Sequence, residues 1–295
     1  MKILNRMGLP QAIVNAVTND PYDNKGTLSV TRLLSPPYQR KLTQEHWDDL
    51  AEDVSDRIWA LFGSSVHHII ERSASRGDIV EQRLFAELGG EKISGQLDHL
   101  STDGVLSDWK TTSVWAVKDA KVNGKLEWEQ QLNMLAWLVN NGHMKGSLPK
   151  VKRLQIVAIC RDWNNSGDKY QSDYPEKVEV LEYPLWSDRQ AEEFLLSRIE
   201  AHTDPEPEVC TDHERWFRAG KSAVMKKGRK SALRLLDTHW EAEQWIDENG
   251  YSGQTNIYIV DRKGEYPRCR NYCSVAGFCP TWQQHLTEEI SDAGE

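Results

Sequence analysis

The chain has 295 residues, enough for one large domain with an appendage or two smaller ones, and 39% of them are hydrophobic, an ordinary share for a globular protein. A formal net charge of -9 excludes a uniformly basic nucleic-acid coat and leaves room only for a local basic groove. No apolar run approaches the roughly 18 residues of a membrane span, and MKILNRMGLPQ lacks a signal peptide's apolar stretch. The expectation is therefore an intracellular protein with no membrane partner, in which five cysteines are metal ligands or buried thiols before they are disulfides.

Residues 1–43 are turn-rich, with Pro21, Gly26, Pro36 and Pro37 around a short apolar SVTRLL, which predicts an irregular arm with a brief helix. From Glu45 the apolar positions Trp47, Leu50, Val54, Ile58 and Leu61 recur at helical spacing. Gly63 is expected to interrupt that helix, and Ser64 to cap a second one over 64–74. There His67 and Glu71 are four apart and share a face, with Val66, Ile69 and Ile70 turned to the core. A histidine and a carboxylate pointing one way can extend a metal shell; the plainer alternative is a surface pair of His67 and His68.

A hairpin follows, starting near Leu84. A three-residue turn at Thr102, Asp103 and Gly104 sets Asp98 opposite Asp108, and the period of two puts Lys110 on the face of Asp108. Like charges directly across a strand pair destabilise it. The cluster is tolerable if a divalent cation with hard oxygen ligands sits between the carboxylates, and useful if Lys110 meets a substrate anion. Two exposed acids beside an exposed lysine are the bland alternative.

In KLEWEQQLNMLAWLV (125–139), Trp128, Leu132, Leu135 and Val139 form a helical stripe. Gln131 on that helix either orients a water or touches a phosphate, or is an ordinary exposed position. LQIVAIC (154–160) reads as a buried strand, KVEVLEY (177–183) as an alternating one, and Ser187 with Gln190 as a capping box for a helix through Ile199. This order predicts an α/β fold, a mixed sheet flanked by helices.

DPEPEVC (204–210) reads as a linker. Beyond it KSAVMKKGRKSALR (221–234) concentrates Lys221, Lys226, Lys227, Arg229 and Lys230, either a solvated helical face or a patch that tracks the phosphates of DNA. RCRNYCSVAGFCP then places Cys269, Cys273 and Cys279 close together, with Cys210 upstream. Clustered thiolates suit zinc or an iron-sulfur cluster, whereas Cys160, in an apolar strand, reads as a core thiol. The expected organisation is an N-terminal arm and helix (1–59), an α/β core (60–203), a cysteine-bound cap (204–282) and a frayed acidic tail (283–295).

His67 in GSSVHHIIE, Asp98 in GQLDHL, Asp108 and Lys110 in SDWKT, and Gln131 in EWEQQLNMLAW resemble, in order, the motifs of RecB-like nucleases of the PD-(D/E)XK superfamily. The arm and tail are more loosely similar to phage-encoded members. The resemblance implies a restriction-endonuclease-like core, and a metal-dependent exonuclease action on DNA in recombination, repair or phage DNA processing, alone or with a recombination or replication protein. It implies that Asp98, Asp108, the backbone carbonyl of Trp109 and His67 bind Mg²⁺ or Mn²⁺, that Lys110 positions the attacking water or stabilises charge on the phosphorus, and that Glu71 supports the site. One departure is Leu135, where the glutamine motif usually continues to a tyrosine. Some relatives close a 4Fe-4S cluster with three C-terminal cysteines and one upstream, which implies Cys210, Cys269, Cys273 and Cys279 here; in those relatives the lone cysteine precedes the core, and here it follows. A CRISPR-associated nuclease that trims DNA for spacer capture and a noncatalytic DNA-binding module are the alternatives.

Overall fold

The computed structural model describes residues 1–18, 27–170 and 173–293, so the turn expected around Pro21 and Gly26 lies outside the described residues. The chain divides into two compact units, one of Met1–Arg40 with Trp47–Pro207, the other of Lys41–His46 with Glu208–Glu295. The division falls inside DPEPEVC, and residues 1–40, expected as an arm, belong to the first unit.

In chain order the elements begin with β1 (Lys2–Leu4), α1 (Gln11–Thr18), β2 (Leu28–Ser29), α2 (Val30–Leu34), α3 (Pro37–Glu45) and β3 (Ala51–Asp53). A 3₁₀ turn (Val54–Arg57) leads into α4 (Ile58–Glu71), β4 (Ile79–Leu88), β5 (Glu91–Leu100), β6 (Val105–Thr112), α5 (Val114–Asn123) and α6 (Leu126–Asn141). The first unit closes with β7 (Arg153–Cys160), α7 (Asn165–Tyr170), β8 (Val178–Tyr183) and α8 (Asp188–Thr203). Then come β9 (Lys221–Lys226), β10 (Arg234–Leu236), α9 (His239–Glu248), β11 (Ile257–Arg262), α10 (Pro267–Asn271), a 3₁₀ turn (Ala276–Phe278) and α11 (Pro280–Ala293).

The first unit is α/β, with a mixed six-stranded sheet flanked by helices. Strand β5 is its hub. It runs antiparallel to β4 along its length, parallel to β2 at Leu28↔Ile93, and antiparallel to β6 at His99↔Ser107 and Leu100↔Leu106. Strands β4 and β5 are joined by Gly89 and Gly90 at φ +59° and +81°. Two adjacent residues with positive φ match a type I′ hairpin turn, so the sheet starts one strand earlier than the sequence pattern indicated. Helices α5 and α6 carry the chain from β6 to its parallel neighbour β7, whose other edge pairs antiparallel with β8.

Helix α6 packs across β4, β5, β6 and β7 and buries Leu132, Met134, Leu135 and Leu138, each contributing about 1.5–3 kcal/mol of apolar burial. Gly95 makes that approach possible: a Cβ there would lie 2.6 Å from Leu135, 2.8 Å from Leu138 and 3.0 Å from Val30.

Three local expectations are corrected. The helix expected from Glu45 is instead β3 and a 3₁₀ turn, because Asp53 accepts from Ser55 N–H and forms a capping box with Asp56, which starts a new helical run at Val54. Helix α4 then continues through Gly63, so Ser64 is interior and caps nothing; a Cβ at Gly63 would lie 3.3 Å from Thr111 Oγ1, and the glycine serves a close helix-to-strand approach. Ile69, expected in the core, is 65% exposed. Helix α5, absent from the sequence reading, is capped by Ser113, which accepts from Ala116 N–H.

In the second unit, residues 221–234 form β9, a loop and the start of β10 rather than a helical face, since β9 pairs on both edges, with β10 and β11. Residues 280–293 form α11, where fraying was expected from 283; residues 294 and 295 lie outside the described residues. Among the described residues no helix is long and apolar enough to cross a membrane.

Candidate active site

The hairpin of β5 and β6 has the expected register, yet it pairs only beside its turn. One step further, at Asp98 and Asp108, the strands part. Trp109 N–H there donates to Asp98 Oδ2 at 2.8 Å, so one carboxylate is anchored by a backbone amide of the neighbouring strand.

On the other edge of β5 the register with β4 runs from Val80↔His99 to Gln82↔Leu97, which leaves Glu81 opposite Asp98. Glu81 has φ +46°, a conformation that costs a non-glycine residue about 1–3 kcal/mol and persists only where surroundings impose it. Its Oε2 accepts from Gln96 Nε2 at 2.6 Å, while Oε1 is buried with no hydrogen bond.

Above the two acids stands His67 of α4. Its Nε2 lies 3.0 Å from the Trp109 carbonyl, an acceptor, so Nε2 carries the proton and donates. Nδ1 then presents a lone pair 3.6 Å from Glu81 Oε1 and 3.6 Å from Asp98 Oδ2. Three ligand atoms, one each from His67, Glu81 and Asp98, lie within 4.8 Å of one another. Electron pairs converging in this way require a proton or a cation among them.

The ionisation of these groups reports the same crowding. Burial and then the Asp108 charge push Asp98 up to about 7, against the pull of His67, the Trp109 amide and Lys110. For His67 burial works against the charged ring, but Glu81 and Asp98 outweigh it and raise the pKa. Burial likewise works to raise Glu81, and the nearby His67 ring together with the Gln96 hydrogen bond outweighs it, so its pKa is lowered.

Beside this triad lies a second network. Lys110 Nζ is 2.7 Å from Asp108 Oδ2 and donates to Gln131 Oε1 at 3.0 Å, while Gln131 Nε2 donates to Asp108 Oδ1 at 2.7 Å. Asp108 is 2% exposed, and the Lys110 ion pair is angled so that Oδ2 has no aligned hydrogen bond. The ammonium has three donors and places one on Gln131 beside its ion pair with Asp108, which leaves a donor for a substrate oxygen.

His67, Asp98, Asp108, Lys110 and Gln131 thus come together. Trp109 contributes its N–H to Asp98, and its carbonyl, assigned to the metal by resemblance, accepts from His67. Glu71 does not join them: its Oε2 lies 3.2 Å from His68 Nδ1 on the surface. Glu81 was missed. Its signal was the Gly89-Gly90 turn, because a two-residue hairpin fixes a register in which residue 81 faces residue 98.

In the second unit, burial and then Glu214 and the thiols of Cys273, Cys279 and Cys269 push Cys210 up to about 12. Burial, Cys269 and Cys279 also raise Cys273. The four cysteines therefore share one neighbourhood, and all are free thiols. Cys160 is buried in β7, as expected. Lys226, Lys227, Arg229 and Lys230 are exposed from the end of β9 into its loop, and Lys221 is paired with Asp237.

No family model matches the chain, and no curated protein matches it. A solved structure entitled "Crystal structure of SSO0001" is similar at TM-score 0.41 and 15% identity, covering 64% of this chain and 82% of that one. A likeness of that size carries no functional inference.

Proposed function

We propose that the first unit is a metal-dependent DNA nuclease with a PD-(D/E)XK core, hydrolysing phosphodiester bonds, most simply from DNA ends. One observation carries the reading: His67, Glu81 and Asp98 converge on a point with unneutralised lone pairs, next to a lysine held by Asp108 and Gln131.

The donor set fits Mg²⁺ or Mn²⁺. Two buried carboxylate oxygens, Glu81 Oε1 and Asp108 Oδ2, have no aligned hydrogen bond, and hard oxygens with one imidazole suit these ions, Mn²⁺ more than Mg²⁺ for the imidazole. His67, Glu81, Asp98 and Asp108 would hold the metal. When bound, such an ion supplies Lewis acidity to a phosphoryl oxygen and makes water more acidic. The protein's own part is positional. Trp109 N–H fixes the Asp98 carboxylate, Gln131 and Asp108 fix the Lys110 ammonium, and its remaining donor meets the charge that grows on the phosphoryl oxygens.

For the second unit the proposed group is a 4Fe-4S cluster on Cys210, Cys269, Cys273 and Cys279, with zinc as the alternative. Support comes from the crowding of these thiols, in which burial and then the neighbouring cysteines raise Cys210 and Cys273, a repulsion that a bound cation relieves. The exposed lysines of the β9 loop are offered as phosphate contacts. The test of function is incubation of end-labelled linear and circular DNA with Mg²⁺, Mn²⁺ or EDTA. Loss of label from linear DNA alone, abolished by EDTA, is expected; intact DNA under every metal overturns the proposal.

A further inference from the structure

Helix α4 carries more than His67. Trp59, Gly63 and His67 are spaced by four and lie on one face. Gly63 lies against Thr111 and His67 against Trp109, so the helix runs along β6, and Trp59 continues the line past the end of the strand. Arg161 stands at that end. Its N–H donates to the Thr112 carbonyl at 2.9 Å, and its guanidinium sits 4.8 Å from the centroid of the Trp59 ring. Phe62 meets the indole edge-on, with ring centroids 6.4 Å apart. Despite these neighbours Trp59 is 60% exposed and Phe62 44%.

A single exposed tryptophan is unremarkable in any protein. This one is covered on one side by an arginine whose backbone is tied to the strand, and it sits on the helix that sets a histidine of the candidate site. A flat aromatic surface with a fixed positive charge beside it matches a nucleotide, the base stacking on the ring and the phosphate meeting the guanidinium. The eight helical steps from Trp59 to His67 rise about 12 Å, a span of a few nucleotides of a single strand. A base paired within a duplex exposes only its edges, so it cannot stack on such a ring without being unpaired.

We infer that Trp59, with Phe62 and Arg161, is a stacking ledge for unpaired bases of the bound strand, a few nucleotides from the phosphate at His67. Single-stranded DNA or a frayed end is then the preferred substrate. This rests on the nuclease reading for its placement relative to the cut, and on the aromatic geometry for the binding itself.

Binding of an end-labelled single-stranded oligonucleotide and of the matching blunt duplex to the full chain, followed by anisotropy in EDTA, tests the ledge without turnover. The wild type should prefer the single strand. Trp59→Ala should weaken that binding about tenfold to a hundredfold, the size of one base-to-aromatic stack, and Trp59→Phe should restore most of it. Mn²⁺ affinity by calorimetry should be the same in all three. In Mn²⁺, an abasic site walked along the oligonucleotide should slow wild-type cleavage at one position within a few nucleotides of the cut, and add nothing in Trp59→Ala. Equal single-strand binding by Trp59→Ala and wild type would overturn the ledge and mark these rings as a surface for another occupant, as would an equal loss for duplex and single strand. Trp59-dependent binding by a protein that cuts no DNA under any metal would keep the ledge and remove the nuclease reading.

Discussion

Replacing Asp98 by asparagine should stabilise the metal-free protein while ending its activity. The substitution keeps an oxygen to accept from Trp109 N–H and removes a charge that burial and Asp108 both oppose. The folded pKa of about 7 stands above the ordinary 3.8, roughly three pH units, and at about 1.4 kcal/mol per unit the ionised carboxylate costs the fold about 4 kcal/mol. Because the folded chain holds this proton more tightly than the unfolded one, the cost is absent below pH 3.8, grows between pH 4 and 7, and is constant above. Thermal melts in EDTA should therefore show Asp98→Asn ahead of wild type by on the order of 10 °C at pH 8, given roughly 2–4 °C per kcal/mol for a unit of this size. The gap should shrink as the pH is lowered toward 4. Mn²⁺ should close more than half of the gap, since about 2.7 kcal/mol of stabilisation at a hundredfold excess over Kd is open only to the protein that binds it. A variant no more stable than wild type at pH 8 in EDTA, or a gap that ignores pH, would refute this account of the site.

Lys110→Met should retain metal and DNA affinity and lose about 10²- to 10³-fold in turnover, the usual loss for a group that meets charge only in the transition state; a matching loss in a Mn²⁺ titration would make the lysine an organiser of the ligands. Glu81→Gln should fold normally and bind Mn²⁺ at least about tenfold more weakly, with unchanged calorimetric affinity counting against Glu81 as a ligand. Protein purified without oxygen should be brown with about four irons per chain, retained by Cys160→Ser and lost in Cys210→Ser; colourless protein with one stoichiometric zinc would replace the cluster by a structural zinc site.

Period and turn chemistry made much of the first unit legible. The Thr102-Gly104 turn fixed the register of β5 and β6, the apolar stripe found α6, and Ser187 with Gln190 found the start of α8. What failed were places where tertiary contact outweighs a local habit. Gly63 looks like a breaker by propensity, and packing against Thr111 keeps it inside α4. Basic residues 226–230 lack a helical partner face and go to a strand end and loop. Within the site, the spacing in DWK and the single glutamine were readable, but Glu81 meets Asp98 only through a hairpin turn of two glycines that begins eight residues after it, and Glu71 obeys helical spacing while pairing with the wrong neighbour.

Gly95 gives the site a dependence that no ligand reveals. Leu135 presses on the bare backbone of that residue, and Gln131 is one helical turn before Leu135 on the same helix. The gap between sheet and helix is thus a gauge set by one missing methyl group, and the amide that steadies Lys110 is read off it. Gly95→Ala would have to lift α6 or repack Leu135, Leu138 and Val30, at about 1–3 kcal/mol for an overfilled core. Every proposed ligand would remain in the chain, but a displacement of about 1 Å in such a support can cost on the order of 10²-fold in rate. The thickness of the core under a glycine is in this sense a kinetic parameter.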